Sequence, residues 1–226
     1  MAKLEGIRAC VFDAYGTLFD VHAPVAKLAQ EIGEKADALS KTWRQKQLEY
    51  SWLRSLMGVH ADFWHVTGDA LDYALAFHGI DDPGLKDELM VLYLKLDAYP
   101  DAKAALETLK SRNMRLGILS NGSPSMLEAA VRSAGLEKLI DQVLSVEDVG
   151  IYKPSRRVYR LAMQKFVLQD APSICFVSSN TWDAQAAAQF GFQVVRIDRF
   201  GLPDDKIPGK PAAKVKSLSE LPALLS

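Results

Sequence analysis

Two aspartates and a lysine stand where apolar stretches of the chain give way to polar turns. Asp13 follows the apolar run 7–12, and Asp183 comes soon after the apolar run 174–177. Two carboxylates in one site can divide the work of a hydrolysis, since one attacks carbon or phosphorus covalently and the other activates the water that releases the product. Lys153 is the cation that fits between them. Taken singly, each residue also fits ordinary turn or surface chemistry.

The elements that must position these residues alternate between strand and helix. We expect strands at 7–12, 115–119, near 143–144, 173–177 and 193–197, and helices over 101–112, 124–134, 155–166 and 182–190. Because parallel strands need a helix between them, this alternation predicts an α/β fold with a Rossmann-like parallel sheet. We interpret the remaining carboxyl-terminal residues as a Pro- and Lys-containing tail that ends in a short apolar segment.

A different pattern fills residues 21–98, where apolar residues recur three and four positions apart, beginning at Val25, Leu28, Ala29 and Ile32. This spacing predicts helices. We therefore divide the chain into an α/β core domain, residues 1–20 and 99–226, and an inserted helical cap subdomain, residues 21–98. The ends of the insert should lie near the carboxyl end of the first strand, at the edge where open α/β sheets bind ligands.

Polar residues follow three of the expected strands. Asp13 follows the first, Ser120 and Asn121 follow the second, and Ser178 opens a polar run after the fourth. Solvated loops explain any one of these, but parallel strands deliver all three to one edge of the sheet. The sequence therefore favours a site at this edge.

Composition narrows the classes of function. The 226 residues carry 27 Lys+Arg and 28 Asp+Glu, a formal net charge of -1, which gives no broad positive field to attract nucleic acid or an anionic membrane. No apolar run approaches the about 18 residues that span a bilayer, and the amino terminus does not resemble a secretory signal. Cys10 and Cys175 lie in apolar runs and are interpreted as buried free thiols. We expect a cytoplasmic protein.

Several other catalytic patterns are missing from the sequence. It contains no G-x-S-x-G, no P-loop and no G-x-G-x-x-G motif. The histidines all fall in or beside the helical insert, at His22, His60, His65 and His78. We therefore expect neither a Ser-His-Asp hydrolase nor a zinc site.

Five segments, in order, resemble the motifs of the haloacid dehalogenase superfamily. They are Val11 to Asp20 with the nucleophile Asp13, Trp43 to Tyr50 in the insert, Leu119 to Gly122, Tyr152 to Pro154, and Ser178 to Asp183. The segment Trp43 to Tyr50 is similar to the arginine-bearing helix of the L-2-haloacid dehalogenases, so the chain looks most like that subfamily. The resemblance covers nearly the whole chain and implies a haloacid dehalogenase-like core with a helical cap.

The residues also bear on which chemistry of that superfamily to expect. Phosphoryl transfer sets a carboxylate against a phosphate dianion, a repulsion that Mg²⁺ and its acidic ligands offset. Where the superfamily's phosphatases place a second Asp and a later metal ligand, this chain has Tyr15 and Ser179. We therefore expect no metal and no other cofactor, and attack at the carbon of a monoanionic substrate.

The resemblance implies hydrolysis of short-chain (S)-2-haloacids to (R)-2-hydroxyacids through an aspartyl ester. Asp13 is the implied nucleophile, Asp183 with Lys153 holds the water, and Thr17, Ser178, Asn180 and Tyr159 support them. The implied substrate contacts are Arg44 and Asn121 to the halide, Ser120 to the carboxylate, and an apolar wall of Tyr15, Leu48, Phe63 and Trp182.

The sequence leaves two alternative functions open, and it suggests a second copy of the same chain as a partner. The chain is alternatively a Mg-dependent phosphatase or phosphonatase of the same superfamily, or a catalytically silent member that binds a small carboxylate. The subfamily commonly dimerises, and an apolar face at Trp52, Leu53, Leu56 and Met57 is a candidate surface for a homodimer, although burial in the core explains that face equally well.

Overall fold

A computed structural model describes residues 3–225 of the chain. Within this range, six parallel strands form one sheet in the order β3-β2-β1-β4-β5-β6. The strands are β1 (Ala9–Phe12), β2 (Arg115–Ser120), β3 (Gln142–Ser145), β4 (Ile174–Ser178), β5 (Gln193–Ile197) and β6 (Ala213–Val215). The middle strands β1 and β4 are buried along their whole length, as expected for unbroken apolar runs in a covered parallel sheet.

Helices connect and flank these strands, which confirms the α/β fold expected from the alternating pattern. Their bounds are α1 (Ala23–Lys27), α2 (Ala29–Ile32), α3 (Ala36–Met57), α4 (Phe63–Phe77), α5 (Pro83–Leu94), α6 (Ala102–Ser111), α7 (Pro124–Ser133), α8 (Arg156–Lys165), α9 (Thr181–Phe190) and α10 (Leu221–Leu224). Short 3₁₀ turns cover Gly33–Lys35, Val146–Asp148, Ala171–Ser173 and Leu218–Glu220. None of the helices described between residues 3 and 225 is long and apolar enough to cross a membrane.

The helical insert lies between β1 and α6, and it contains α1 to α5. Its longest helix, α3, packs mainly on α4 and buries Leu39, Trp43 and Gln47, which are spaced one turn apart. The chain enters and leaves the insert through neighbouring segments, because Asp20 N donates to Asp97 O at 2.9 Å and Tyr99 N donates to Leu18 O at 2.9 Å. Both connections therefore sit just beyond the carboxyl end of β1. The domain bounds at residues 20 and 99 remain a prediction.

The sequence prediction was wrong about the carboxyl-terminal tail, which was not expected to hold a strand. Residues Ala213–Val215 form β6 and extend the sheet by pairing with β5. A strand of three residues at the edge of a sheet needs only one buried side chain, here Val215, while Lys214 stays exposed. So short an apolar signal cannot be separated from a loop by its pattern.

Candidate active site

Asp13 follows β1 directly, at the carboxyl edge of the sheet. The strand order reverses between β1 and β4, and this is the point at which open α/β sheets place their ligands. Because the backbone N–H of Asp13 donates to Val177 O at 2.9 Å, the parallel ladder continues one residue beyond β1 and fixes where the carboxylate stands. The side chain is nearly buried, with 6% of the residue exposed.

The two carboxylate oxygens of Asp13 have different partners. Oδ2 accepts three hydrogen bonds, from Thr17 Oγ1 at 3.2 Å, Ser178 Oγ at 3.3 Å and Asn180 Nδ2 at 2.6 Å. Oδ1 accepts one, from Lys153 Nζ at 3.1 Å. Oδ2 is thus saturated with donors, whereas Oδ1 keeps a lone pair free for another contact.

Lys153 bridges the two aspartates. Its Nζ lies 3.1 Å from Asp13 Oδ1 and 2.8 Å from Asp183 Oδ2, and the residue is 1% exposed. Burial alone would lower the pKa of Lys153, but the charges of Asp13 and Asp183 outweigh burial and raise the pKa. The ammonium therefore stays charged at neutral pH.

Asp183 is fully buried in the first turn of α9, which begins three residues after β4 ends. Its Oδ1 accepts a hydrogen bond from the hydroxyl of Tyr159 at 2.7 Å. Burial raises the pKa of Asp183 to about 6, and the charge of Asp13 adds to this effect while Lys153 and the Tyr159 hydrogen bond oppose it. A carboxylate whose pKa lies so near neutrality is suited to act as a general base.

Arg44 reaches the same edge from α3 in the insert. Its guanidinium donates to Gln47 Oε1 at 2.9 Å and Asn180 Oδ1 at 3.3 Å, and lies 3.5 Å from Tyr15 O. Asn180 therefore links Arg44 to Asp13, and the structure brings a residue of the helical insert into the same site as the aspartate that follows β1.

Most of the other residues expected at the site are also placed there. The Asn121 amide oxygen accepts from Lys153 N at 3.0 Å, so its NH₂ group points the other way, as a halide donor requires. The Ser120 hydroxyl is buried and accepts from Gly122 N at 3.1 Å. The ring of Tyr15 packs 5.8 Å from that of Phe63, and both residues are buried.

Two expected wall residues are placed less directly. Trp182 lies in the first turn of α9, but its ring faces Trp52 of α3 at 5.3 Å, and both tryptophans line a cavity of about 430 Å³ between α3 and the segment 151–155. Leu48 is half-buried on α3, one turn beyond Arg44. Their roles against a substrate remain predictions.

Sequence reasoning missed three residues of this network. Ser179 binds the loop after Asp13, since its hydroxyl donates to Gly16 O at 2.5 Å and its N–H donates to Thr17 Oγ1 at 2.9 Å. Gln47 lies one turn from Arg44 on α3, a spacing that could have identified it. Tyr93 stacks on Tyr15 at 5.6 Å from α5, and no local pattern marks it.

The residues at this edge offer few ligands for a metal ion. Among residues 3–225, no three His, Cys, Asp or Glu side chains are grouped so that they could hold one. The buried hydroxyl of Tyr15 has no hydrogen-bond partner in the part of the chain that the structure describes, and the hydroxyl of Ser179 donates to Gly16 O in the loop after Asp13. The cation that the two aspartates share is the Lys153 ammonium.

An aspartate after the central strand, a lysine shared with a second aspartate, and a helical insert over the same edge define a class of hydrolase. A family model for haloacid dehalogenase-like hydrolases matches residues 7–191. The protein (S)-2-haloacid dehalogenase 4A of Burkholderia cepacia is 49% identical over 99% of this chain and 96% of its own length. The chain belongs to the haloacid dehalogenase-like hydrolase family, and within it to the (S)-2-haloacid dehalogenases.

Solved structures give the same result. A dehalogenase described as an intermediate complex is 49% identical, with a TM-score of 0.95 over 97% of both chains. The L-2-haloacid dehalogenase of Xanthobacter autotrophicus, solved with chloropropionic acid covalently bound, is 36% identical, with a TM-score of 0.88 over 96% of this chain and 98% of that one.

Proposed function

We propose that this protein hydrolyses short-chain (S)-2-haloacids to (R)-2-hydroxyacids through an ester on Asp13, without a metal ion. The observation that carries the proposal is the unequal surroundings of the two Asp13 oxygens. Three donors hold Oδ2, while Oδ1 has only the Lys153 ammonium. Such a carboxylate is fixed in one orientation and has one oxygen free to attack.

In the first step, Asp13 Oδ1 attacks C2 of the haloacid from the side opposite the halogen. The new bond joins Oδ1 to C2, the carbon–halogen bond breaks, and its electron pair leaves with the halide. In-line displacement inverts the configuration at C2. Donors that point at the departing atom lower the barrier, because their contact strengthens as charge moves onto it. Arg44 and the NH₂ group of Asn121 supply these donors.

In the second step, water attacks the carbonyl carbon of the Asp13 ester. The carbonyl oxygen is then Oδ2, which already sits among Thr17, Ser178 and Asn180. These three donors stabilise the negative charge that develops there, as an oxyanion hole does. Asp183 takes a proton from the water while Lys153 and Tyr159 hold its carboxylate in place. The bond between Cγ and Oδ1 of Asp13 then breaks, the proton passes from Asp183 to Oδ1, and the hydroxyacid leaves with that oxygen. Asp13 is left with an oxygen from water and loses its remaining proton to solvent.

The charges at the site suit this substrate. Asp13, Asp183 and the Lys153 ammonium sum to one negative charge, and Arg44 offsets it, so a monoanionic haloacid meets a site near neutrality. Ser120 and the backbone N–H groups after Asp13 are the groups we assign to its carboxylate. The relatives named (S)-2-haloacid dehalogenase and the solved structure with covalently bound chloropropionic acid support the assignment.

Halide release tests the proposal. Wild-type protein should release chloride from (S)-2-chloropropionate but hardly from the (R) enantiomer, and EDTA should leave the rate unchanged. EDTA-sensitive phosphatase turnover without halide release would support the Mg-dependent alternative instead. The Asp13→Asn variant should release no halide, whereas a silent carboxylate-binding protein would release none in either form.

A single turnover in ¹⁸O-enriched water, with enzyme in excess, tests the ester itself. The label should appear in the carboxylate of Asp13 and not in the first hydroxyacid formed, because that product takes its oxygen from the protein. Label found directly in the product would show that water, and not Asp13, displaces the halide.

We further propose that the protein is a cytoplasmic homodimer in which the insert, residues 21–98, is a cap over the core. Both cysteines are free and buried, which is compatible with a reducing compartment. The candidate dimer surface on α3 is apolar and exposed at Leu53, Leu56 and Met57. A partner of the same chain would remove this apolar surface from water.

A further inference from the structure

Gln47 is a buried polar residue on the inner face of the insert. It lies on α3 one turn beyond Arg44, and only 1% of it is exposed. It contacts Arg44, Thr67 of α4 and Tyr93 of α5. A buried amide with partners on three helices is held in place by the whole insert.

A chain of hydrogen bonds fixes which way the Gln47 amide faces. The Thr67 hydroxyl donates its proton to Phe63 O at 2.6 Å, so the same hydroxyl can only accept from Gln47 Nε2, at 2.8 Å. The amide oxygen must then face Arg44, whose NH1 lies 2.9 Å away. A flipped amide would set an oxygen against the Thr67 oxygen and an NH₂ group against the guanidinium.

The acceptors around Arg44 are all neutral. They are the amide oxygen of Gln47, the amide oxygen of Asn180 and the backbone oxygen of Tyr15. Among residues 3–225, Arg44 forms no ion pair, although other arginines do, for example Arg54 with Asp69 and Arg199 with Asp101. Neutral acceptors orient a guanidinium without cancelling its charge, so the charge remains available to an anion at the site.

We infer that Gln47 is a positioning residue that aims the Arg44 guanidinium at the departing halide and, because it is neutral, preserves the positive charge that stabilises this leaving group. The inference rests on the proposed function. It implies that Gln47 sets how strongly the rate of the first step depends on which halogen leaves. A carboxylate at position 47 would have nearly the same shape as the amide and would form a buried ion pair with Arg44. This ion pair would weaken the electrostatic attraction between the guanidinium and the departing halide.

Two substitutions of Gln47 distinguish the effect of its neutral charge from the effect of its hydrogen bond to Arg44. Gln47→Glu keeps the shape and neutralises Arg44, whereas Gln47→Leu removes the hydrogen bond and leaves the charge. Halide release in a single turnover is measured with (S)-2-chloro-, bromo- and iodopropionate. Chloride is the poorest leaving group and needs most help, so in Gln47→Glu the ratio of chloride to iodide release should fall at least about tenfold. In Gln47→Leu the guanidinium keeps its charge but is no longer aimed, so the ratio should fall by a smaller factor of about threefold, and a ratio equal to that of wild type would contradict the positioning role.

Binding of bromide to the resting protein gives a readout that needs no turnover. Wild type should bind bromide in a calorimetric titration, Gln47→Leu should bind it about threefold more weakly, and Gln47→Glu should bind it at least about tenfold more weakly. If the variants bind bromide in this order but wild type releases no halide from any haloacid, the dehalogenase proposal is contradicted and the inference about Gln47 is supported. The inference is overturned if Gln47→Glu, folded by circular dichroism, binds bromide like wild type, if wild type binds none, or if the chloride-to-iodide ratio does not move.

Discussion

Asp183 combines full burial, an ion pair with Lys153 and a pKa raised by burial to about 6. As a general base it must be ionised, so ester hydrolysis should be fast above this pKa and should slow as the pH falls through it. Because the ester removes the charge of Asp13, which helps to raise this pKa, we expect the second step to slow at a pH somewhat below 6, and the measurement is single-turnover hydroxyacid release between about pH 4 and about pH 8. A rate that stays flat across this range would exclude Asp183 as the titrating base.

The Tyr159 hydroxyl favours the ionised form of Asp183 through the 2.7 Å hydrogen bond. Removing it in Tyr159→Phe should raise the pKa of Asp183 and move the acid side of the profile to higher pH by about one pH unit. Tyr152→Phe is a matched control, because the Tyr152 hydroxyl is also buried but donates to Ala61 O. A shift of equal size in both variants would mean that packing, not the hydrogen bond, sets the profile.

Lys153 neutralises two buried carboxylates, and its removal should cost stability in a pH-dependent way. In Lys153→Met, Asp183 loses the ion pair that opposes burial, so its pKa in the folded state rises further above its value in the unfolded chain. The unfolded chain then releases this proton at lower pH than the folded one, and the folding stability of the variant falls as the pH rises. We expect a loss of about 3 kcal/mol or more at pH 8, and a smaller loss at pH 5, in urea unfolding.

A second substitution checks the cause of that loss. In Lys153→Met combined with Asp183→Asn, the buried negative charge is gone, so part of the stability should return at pH 8. If the double variant is no more stable than Lys153→Met, the loss comes from packing around the lysine stem.

At the scale of elements, the loop after β1 is clamped by a residue that follows β5. Arg199 donates to Thr17 O from Nε at 3.1 Å and from NH2 at 2.8 Å, and it forms an ion pair with Asp101 at 3.0 Å. Its guanidinium also lies 3.8 Å from the centre of the Tyr99 ring, in the segment through which the chain leaves the insert. Arg199 thus connects the loop after Asp13, the segment at Tyr99 through which the chain leaves the insert, and the start of α6.

Arg199→Lys should loosen this loop, because a lysine cannot reproduce the two-point contact. The Thr17 hydroxyl would then hold Asp13 Oδ2 less well, and we expect kcat to fall about tenfold with little change in KM. Arg115→Lys is the matched control, since Arg115 also binds backbone oxygens, those of Arg8 and Phe166, but lies away from the carboxyl edge of the sheet.

The double variant with Thr17→Val shows whether the clamp acts through the Thr17 hydroxyl. If it does, Arg199→Lys should have almost no further effect once that hydroxyl is gone. If the two substitutions instead lower kcat by independent factors that multiply in the double variant, Arg199 does not act through the Thr17 hydroxyl and has a separate role.

The sequence predicted the parts of the site that follow directly from strand ends. Asp13 and Ser178 stand beside the ends of apolar runs, and the parallel arrangement brings such ends together whatever the rest of the chain does. Arg199 and Tyr93 could not be identified in this way, because their contacts depend on how a loop and a distant helix fold back on the site. Strand β6 was missed because three residues carry too little pattern.

At the scale of the whole molecule, the end of α3 exposes a group of large apolar side chains. Leu53, Leu56 and Met57 are 44%, 85% and 71% exposed, and they lie on one side of the last turns of α3. Large apolar side chains grouped on one surface mark an interface in a soluble protein. A homodimer built on this face would place α3 of each chain, and thus the helix that carries Arg44, at the centre of the assembly.

Leu56→Lys should therefore convert the proposed dimer to a monomer, because a charge placed in the middle of an apolar interface loses its water without gaining a partner. We expect the dissociation constant of the dimer to rise at least about 100-fold, measured by light scattering of the eluate from size-exclusion chromatography over a dilution series. Val167→Lys is the control, because Val167 is 78% exposed but follows α8, and this variant should remain a dimer. A wild-type protein that elutes as a monomer at all concentrations, or a Leu56→Lys variant that remains a dimer, would show that copies of this chain do not associate through α3.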